Sequence, residues 1–535
     1  MKPDSPLRSV LRLPQIRRIE LAYLLASTAE FGTWVAVLLY AHRQGGAEMV
    51  GVAAVVQLLP AAVIAPVISA ASDRYRRDWP LRGIYLAQTV AHGVVGVAMI
   101  TGRPLVLTLA LATVAATLVA STRPAHGSLI PDLASHPHEV TAANVVTSTA
   151  DALGVLLGPA LAAVILIDGA PGHVFLFMAG AMAAAVVLTV GVRGRVPPPR
   201  IEQPARRQLA AGVGAMASDR GLRSLVTIGA AYYTVVGAMD VLVVILAVEV
   251  LGWGDEGAGA LASAVGLGAL IGALIATSLV GRRLLRALQL AVLLAAVPLY
   301  GLGWVSEGAL LLVFVAAVGL QWIDLIVRTL LQRAAPASVL ARVLGVHEGL
   351  AAFSLALGSI TVSLLFSRAG ATATLVVIGS LLPAAVIALR RQVAQVDRSV
   401  PLHLTELRLL RQVPMFAHLS PLVLEGLAAE LASHEVESDV VVVREGDPGD
   451  TLFVIAGGEF AVSKGDRELA RLVVGDVFGE IALLHDVPRT ATVRSTGPAS
   501  YYTLDRHVFL GALGVTGEAR LVAQGLAAKR MHEQA

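Results

Sequence analysis

Two carboxyl groups in this chain stand where water is scarce. Glu30 and Asp240 both fall inside long apolar runs. An ionised side chain at the centre of a bilayer costs roughly 2.5 to 3.5 kcal/mol even on the lenient insertion scale, so such a group is turned toward a cavity, paired or neutralised. Tyr23, Ser27, Glu30 and Trp34 follow one another at steps of four, three and four, which places them on one helical face as a polar stripe. Tyr233 and Asp240 form a shorter stripe of the same kind. Either carboxyl could take a proton from one side of a membrane and release it to the other. Asp324 and Arg328, four apart, make an intrahelical ion pair suited to a gate or clamp near a helix end. Asp151 and Glu348 lie closer to helix ends and read as structural, Glu249 as an outer-rim residue, and His92 and His347 as satisfied helix residues.

Other chemistries find no support. The chain has no cysteine, which excludes disulfides, thiolate nucleophiles and thiolate metal sites. No pairing of nucleophile and base, metal cluster or P-loop is present, so an enzyme is not expected. Gly266, Gly268 and Gly272 lack the preceding strand that a phosphate-binding loop needs; close helix packing through small residues explains them better.

The elements that must hold these residues are set by composition. A chain of 535 residues, 56% apolar and 15% charged, with mean hydropathy +0.74, is an integral membrane protein rather than a string of soluble domains. Charge is unevenly spread: 49 charged residues lie in positions 1–400 and 30 in the last 135, with net charges of +9 and −6. Two solvents are implied, and nucleic acid is not called for. Twelve apolar runs are long enough to cross a bilayer, at about 20–41, 48–71, 81–101, 104–123, 141–167, 173–192, 222–250, 257–280, 284–305, 308–333, 342–367 and 372–389. The first exceeds a signal peptide's apolar core and is expected to be a retained helix.

Orientation follows from the arginines, because basic residues stay on the cytoplasmic side during insertion. Arg8, Arg12, Arg17 and Arg18, then Arg74, Arg76, Arg77 and Arg82, then the group from Arg193 to Arg207, then Arg282, Arg283 and Arg286, and finally Arg390 and Arg391 all fall on one side. The opposite loops offer little beyond Arg43, Arg103 and Arg368. Both termini are therefore expected in the cytoplasm, in a plasma membrane such as the bacterial inner membrane. The polar stretch from Gly191 to Arg223 divides the spans six and six. Arg123 and Pro131 recur as Arg328 and Pro336 with the same offset, and Tyr23 and Glu30 as Tyr233 and Asp240, which indicates an internal repeat. The fold expected is an all-α polytopic bundle of twelve helices over 1–400, in pseudo-symmetric halves at about 15–192 and 220–391.

The loop Ser69-Ala-Ala-Ser-Asp73-Arg74-Tyr75-Arg76-Arg77 resembles the Gly-x-x-x-Asp-Arg-x-Gly-Arg-Arg signature of the major facilitator superfamily, with both glycines replaced. Arg123-Pro-Ala-His-Gly-Ser-Leu-Ile-Pro131-Asp132 and Leu157-Gly158-Pro159 are similar to its efflux branches. The resemblance covers residues 10–390. It implies secondary transport of a small molecule, with Glu30, Asp240, Tyr23, Tyr233 and Trp34 converging between the halves near the midplane. Asp73, Arg74, Arg123, Asp324 and Arg328 are then gate residues.

From 401 to 535 the composition is that of a soluble α+β domain. A connector helix is expected at 402–411, a second helix from Ser420-Pro421 to Ser433, short β-rich runs between glycine turns from Val440 to Leu504, and a last helix from Thr516 to His532. Evenly spaced strands suggest a small antiparallel barrel or jelly roll. Within it, Phe478-Gly479-Glu480-Ile481-Ala482-Leu483 followed by Pro488-Arg489-Thr490-Ala491-Thr492-Val493 resembles the phosphate-binding cassette of cyclic-nucleotide-binding domains, as do the turns Glu445-Gly446-Asp447 and Gly458-Glu459. The resemblance implies a cytoplasmic domain that binds cAMP or cGMP as a regulatory ligand rather than a cofactor. Free N–H groups after Gly479 would face the phosphate, Arg489 would neutralise it and Glu480 would accept from the ribose 2′-hydroxyl. Thr490 stands where cAMP-preferring members often carry alanine, and its hydroxyl can reach a guanine amino group. A proton-coupled exporter under cyclic-nucleotide control is the expected whole. A lipid or lysolipid transporter, an exporter of the nucleotide itself and a non-transporting nucleotide receptor are the competing expectations; protein partners are not indicated.

Overall fold

The computed structural model describes residues 13–72, 76–133, 137–194, 214, 219–276, 283–303, 308–335, 337–399, 404–417, 419, 421–465, 467–515 and 517–534. Asp73, Arg74 and Pro336 lie outside them.

The apolar runs fold as helices because a bilayer offers no partner for backbone polar groups. In order they are α1 (Pro14–Ser72), α2 (Asp78–Ile100), α3 (Leu105–Ala120), α4 (Thr122–Leu133), α5 (Pro137–Leu166), α6 (Pro171–Thr189), α7 (Arg220–Ile245), α8 (Gly254–Ala276), α9 (Leu285–Gly301), α10 (Ala309–Ala334) and α11 (Ala337–Ser399). Among the described residues nine helical segments are long and apolar enough to cross a membrane, and α9 is a shorter apolar helix. Two of the nine are broken. α1 leaves helical geometry at Gly45 and Gly46, the latter at φ 63°, and α11 does so at Gly370, at φ 77°. These breaks fall between the first and second and between the eleventh and twelfth expected runs. Only glycine adopts such angles without strain.

Small residues let the helices meet closely. A Cβ on Gly266 of α8 would lie 2.6 Å from the Val155 carbonyl oxygen of α5, and one on Gly272 would lie 3.0 Å from Gln321 of α10. This is the packing expected of that glycine series. Val106, Val164, Val187 and Ile387 point outward, as residues facing lipid do.

α11 continues beyond Arg391 to Ser399. Its end is anchored, because buried Asp397 accepts from the backbone N–H groups of Leu284 (3.0 Å) and Leu285 (3.3 Å), and Arg283 donates to the Asp397 carbonyl. The stretch from Arg390, expected to be a flexible connector, is therefore helical and held.

The soluble part comprises α12 (Leu404–Gln412), α13 (Pro421–Glu430), β1 (Ala432–Val436), β2 (Val441–Val443), β3 (Thr451–Gly457), β4 (Phe460–Lys464), β5 (Arg467–Leu472), β6 (Val477–Phe478), α14 (Glu480–His485), β7 (Thr492–Ser495), β8 (Ala499–Asp505), α15 (Arg506–Val515) and α16 (Gly517–Gln534). The strands form two four-stranded antiparallel sheets, β1-β8-β3-β6 and β2-β7-β4-β5. Three expectations are corrected here. The second helix stops at Glu430, because residues 432–436 pair with β8. β6 was not foreseen, being two residues long. The last helix is two helices, α15 and α16, and α15 packs on α5 of the membrane part.

Candidate functional site

In the soluble part, Phe453 and Phe478 stack with ring centres 4.6 Å apart and make a floor between the sheets. Above it the chain turns through Gly479, at φ 87°, into α14. A side chain there would be strained by that angle and would also collide with Arg489. All eight residues picked from the sequence, Phe478, Gly479, Glu480, Ile481, Ala482, Arg489, Thr490 and Ala491, line one cavity.

Arg489 is placed by its backbone. Its N–H donates to the Asp447 carbonyl (2.8 Å), and its carbonyl accepts from the Gly446 N–H (2.8 Å), so the Glu445-Gly446-Asp447 turn fixes the arginine. Its guanidinium donates to the carbonyls of Gly479 (2.9 Å) and Thr451 (2.8 Å) and lies over the Phe453 ring. Burial holds its pKa below the usual arginine value, and Asp450, Glu480 and Asp447 partly offset that. It remains a cation, because guanidinium does not lose its proton in proteins.

Glu480 is 1% exposed and is not free to meet a ligand. Arg530 of α16 donates to it at 2.8 Å and to the Val477 carbonyl at 2.6 Å. Arg530 also lines the cavity, whose volume is about 80 Å³. Sequence reasoning missed this residue; its only signal was a basic position in a helix otherwise read as a cover. At the other end of α14, Asp486 accepts from Arg506, the first residue of α15, at 2.7 Å.

In the membrane part the structure brings Glu30, Trp34 and Asp240 into the wall of one cavity of about 560 Å³, together with Arg123. Tyr23 and Tyr233, read as companions of these carboxyls, stand instead in two polar networks. Tyr23 donates to Asp151 (3.3 Å), as does Ser27 (2.9 Å), and Arg123 joins Asp151 (3.2 Å) to Glu30 (3.5 Å). Tyr233 donates to Asp324 (3.3 Å) and accepts from Arg328 (2.6 Å), which also holds Asp324 (3.0 Å) and Glu348 (2.7 Å). It is the adjacent Tyr232 that faces the cavity. Helical spacing alone did not distinguish the two, since neighbouring tyrosines differ by about 100° around the axis.

Further readings change as well. Asp151 and Glu348 are members of the arginine networks. His92 is 1% exposed, lines the cavity and has an unpartnered Nδ1, and both ring nitrogens of His347 lack partners, so neither histidine is satisfied. Buried Glu20, not singled out from sequence, accepts from Thr147 at 2.8 Å. Near the break in α1, His42 meets Glu249 at 2.7 Å and Arg43 pairs with Asp255. Glu249 sits in a π-helical turn, Leu246–Val250, that ends α7. These pairs join the two halves. By contrast, Arg77 donates to Asp132 (3.0 Å) and the Ser128 carbonyl (2.8 Å), all within the first half.

A model of the Major Facilitator Superfamily matches residues 19–359, and a model of the cyclic nucleotide-binding domain matches residues 433–514. The cAMP-dependent protein kinase regulatory subunit of Hypocrea atroviridis is 34% identical over 105 residues, 20% of this chain and 23% of that one. The cGMP-dependent protein kinase egl-4 of Caenorhabditis elegans is 44% identical over 68 residues, 13% of this chain and 9% of that one. The chain thus spans about a quarter or less of each of these two relatives. A co-crystal structure of the regulatory domain of Toxoplasma gondii PKA with cAMP is 32% identical, over 21% of this chain and 44% of that one, with a TM-score of 0.20. With a family model covering more than half its length, the chain belongs to the Major Facilitator Superfamily and carries a cyclic nucleotide-binding domain toward its C-terminal end.

Proposed function

We propose that this protein is a secondary active transporter that exports a small molecule in exchange for protons, under the control of cAMP or cGMP bound to its cytoplasmic domain. The breaks at Gly45–Gly46 and Gly370, with the short α9, support twelve crossings in two sets of six. An even number agrees with both termini in the cytoplasm of a plasma membrane, with a boundary near residue 400 and a jelly-roll soluble domain. The observation that carries the transport reading is the cavity between the halves with Glu30 and Asp240 in its wall.

The ion pairs at His42–Glu249 and Arg43–Asp255 close the outer end. Arg123 and Arg328 are half-exposed, and lipid would not tolerate them, so they face water. This conformation is then open to the cytoplasm, and alternating access breaks the outer pairs. An apolar lining also suits a lysolipid, but two carboxyls are the wrong sign for an anionic headgroup.

Regulation follows from the closed nucleotide pocket. About 80 Å³ is less than the few hundred Å³ that a ligand of nucleotide size occupies, so binding displaces Arg530 and the α16 helix that carries it. The Asp486–Arg506 pair passes that movement from α14 to α15. α15 packs on α5, which carries Asp151 of the Arg123 network. A coupling of about 1 to 3 kcal/mol changes the cytoplasm-open population some 5- to 150-fold.

The test is a thermal-shift series with cAMP and cGMP on the full chain, paired with proteoliposome transport at each ligand concentration. Stabilisation by one nucleotide that disappears in Arg489→Ala, with a change in transport rate, is expected. Transport indifferent to a saturating nucleotide removes the regulatory reading.

A further inference from the structure

We infer that the membrane cavity takes a monovalent amphipathic organic cation, held by the Asp240 carboxylate against an aromatic and aliphatic wall. This rests on the transport reading above and names the substrate class of the same site.

The argument starts from charge. Glu30 meets Arg123, Asp151 meets Arg123, Asp324 and Glu348 meet Arg328, and Glu20 accepts from Thr147. Asp240 makes no hydrogen bond or ion pair among the described residues, yet it faces the cavity. Arg123, the guanidinium in that wall, is already shared between two carboxylates. With all groups ionised, the cavity and its rim carry excess negative charge and lack a counter-ion. An anionic solute would add to that excess, whereas a single positive charge removes it.

The wall then selects the rest of the molecule. Phe31, Trp34, Phe175 and Tyr232 offer ring faces that attract a desolvated cation, and Ala, Val and Leu side chains line much of the remainder. The 560 Å³ volume suits a compact organic ligand rather than a metal ion or a long polar chain.

Asp240 also supplies the exchange. With the cavity empty, a proton on the carboxyl is its neutralising charge. When the cation arrives, the O–H bond breaks and the proton leaves to water in the cavity, so one positive charge replaces another. Glu30, His92, Arg123 and Tyr232 are the other titratable groups facing this cavity, from α1, α2, α4 and α7. Arg123 keeps its charge throughout, so the exchange is assigned to Asp240.

Tetraphenylphosphonium and tetraphenylborate share size and shape and differ in sign. Equilibrium dialysis of the full chain in nanodiscs is expected to give saturable binding of the phosphonium and none of the borate, with about one proton released per cation in weakly buffered solution. Asp240→Asn is expected to weaken phosphonium binding about ten-fold or more, and Asp240→Glu to restore it. Retained thermal stabilisation by cyclic nucleotide in both variants checks folding. Equal binding of the borate, an unchanged Asp240→Asn, or no phosphonium binding overturns the inference.

The chain has no cysteine, so spin labels at Gln44→Cys and Val250→Cys report opening of the outer end. Opening without phosphonium binding removes the substrate class alone. An outer end that stays shut under a proton gradient and every candidate solute removes the transport reading itself.

Discussion

The two cavities of this molecule handle charge in opposite ways. In the nucleotide pocket every central charge has a partner: Arg489 holds two carbonyls, and Glu480 holds Arg530. In the membrane cavity Asp240 has none among the described residues. The first cavity is about 80 Å³ and closed by its own pairs; the second is about 560 Å³ and waits for a counter-charge. A ligand entering the pocket must therefore replace contacts and move a helix, which couples binding to conformation. A ligand entering the membrane cavity need only replace a proton. Regulation belongs with the first arrangement and turnover with the second.

The sharpest way to break the comparison is Arg489→Ala. It removes the cation that would meet a phosphate and leaves the Gly479 and Thr451 carbonyls without a donor. Truncating one member of a buried charged contact costs about 2 to 5 kcal/mol, so cyclic-nucleotide affinity should fall roughly 30- to 1000-fold or more by calorimetry. Near-normal affinity would move the ligand to another site.

Arg530→Ala tests the pocket's self-closure. Glu480 would be left buried with no cation, which destabilises the unliganded domain by about 2 to 3 kcal/mol, less than a fully buried pair because Arg530 is 19% exposed. A ligand that must displace Arg530 in the native chain no longer does so in the variant. The melting temperature without ligand should fall while the nucleotide-induced shift grows. A smaller shift would mean that Arg530 contacts the ligand rather than competing with it.

How much of this was legible differs between the regions for a physical reason. The pocket comes mostly from one stretch, Phe478 to Val493, so its lining can be read in line, and all eight residues chosen are present. Arg530, fifty positions after Glu480, was not legible because only the packing of α16 brings it back. The membrane cavity is assembled from many helices, and spacing on a single helix fixes a face only to within a residue. Glu30, Trp34 and Asp240 were found because charge and indole in lipid need a reason. Tyr232 was missed for its neighbour, and Gln57 and Gln321 gave no signal above their apolar surroundings. The helix breaks were visible as glycines between apolar runs, whereas β1 was hidden because Ala432–Val436 continues a helix-like stretch until pairing with β8 decides it.

Glu30→Gln separates the two membrane carboxyls. Arg123 would lose a partner at 3.5 Å but keep Asp151 at 3.2 Å, and the group is partly wet, so folding should change by about 1 kcal/mol or less. Phosphonium binding at Asp240 should survive, while proton-driven accumulation in proteoliposomes falls if Glu30 relays the proton. Loss of binding with accumulation intact would exchange the roles of Glu30 and Asp240.

The smallest expected effect lies at the outer end. Arg43 pairs with Asp255 across the halves, with Arg43 half-exposed and Asp255 14% exposed. Such a pair contributes up to about 1 kcal/mol, so Arg43→Gln should raise the outward-open fraction about two- to five-fold and leave the rest to His42–Glu249. Distances between labels at positions 44 and 250 should lengthen in that proportion, without any change in nucleotide affinity if the regulatory domain reads only the cytoplasmic end. A change in nucleotide affinity would show that linkage spans the whole membrane, since an effector that shifts the transporter's equilibrium must itself be shifted by it.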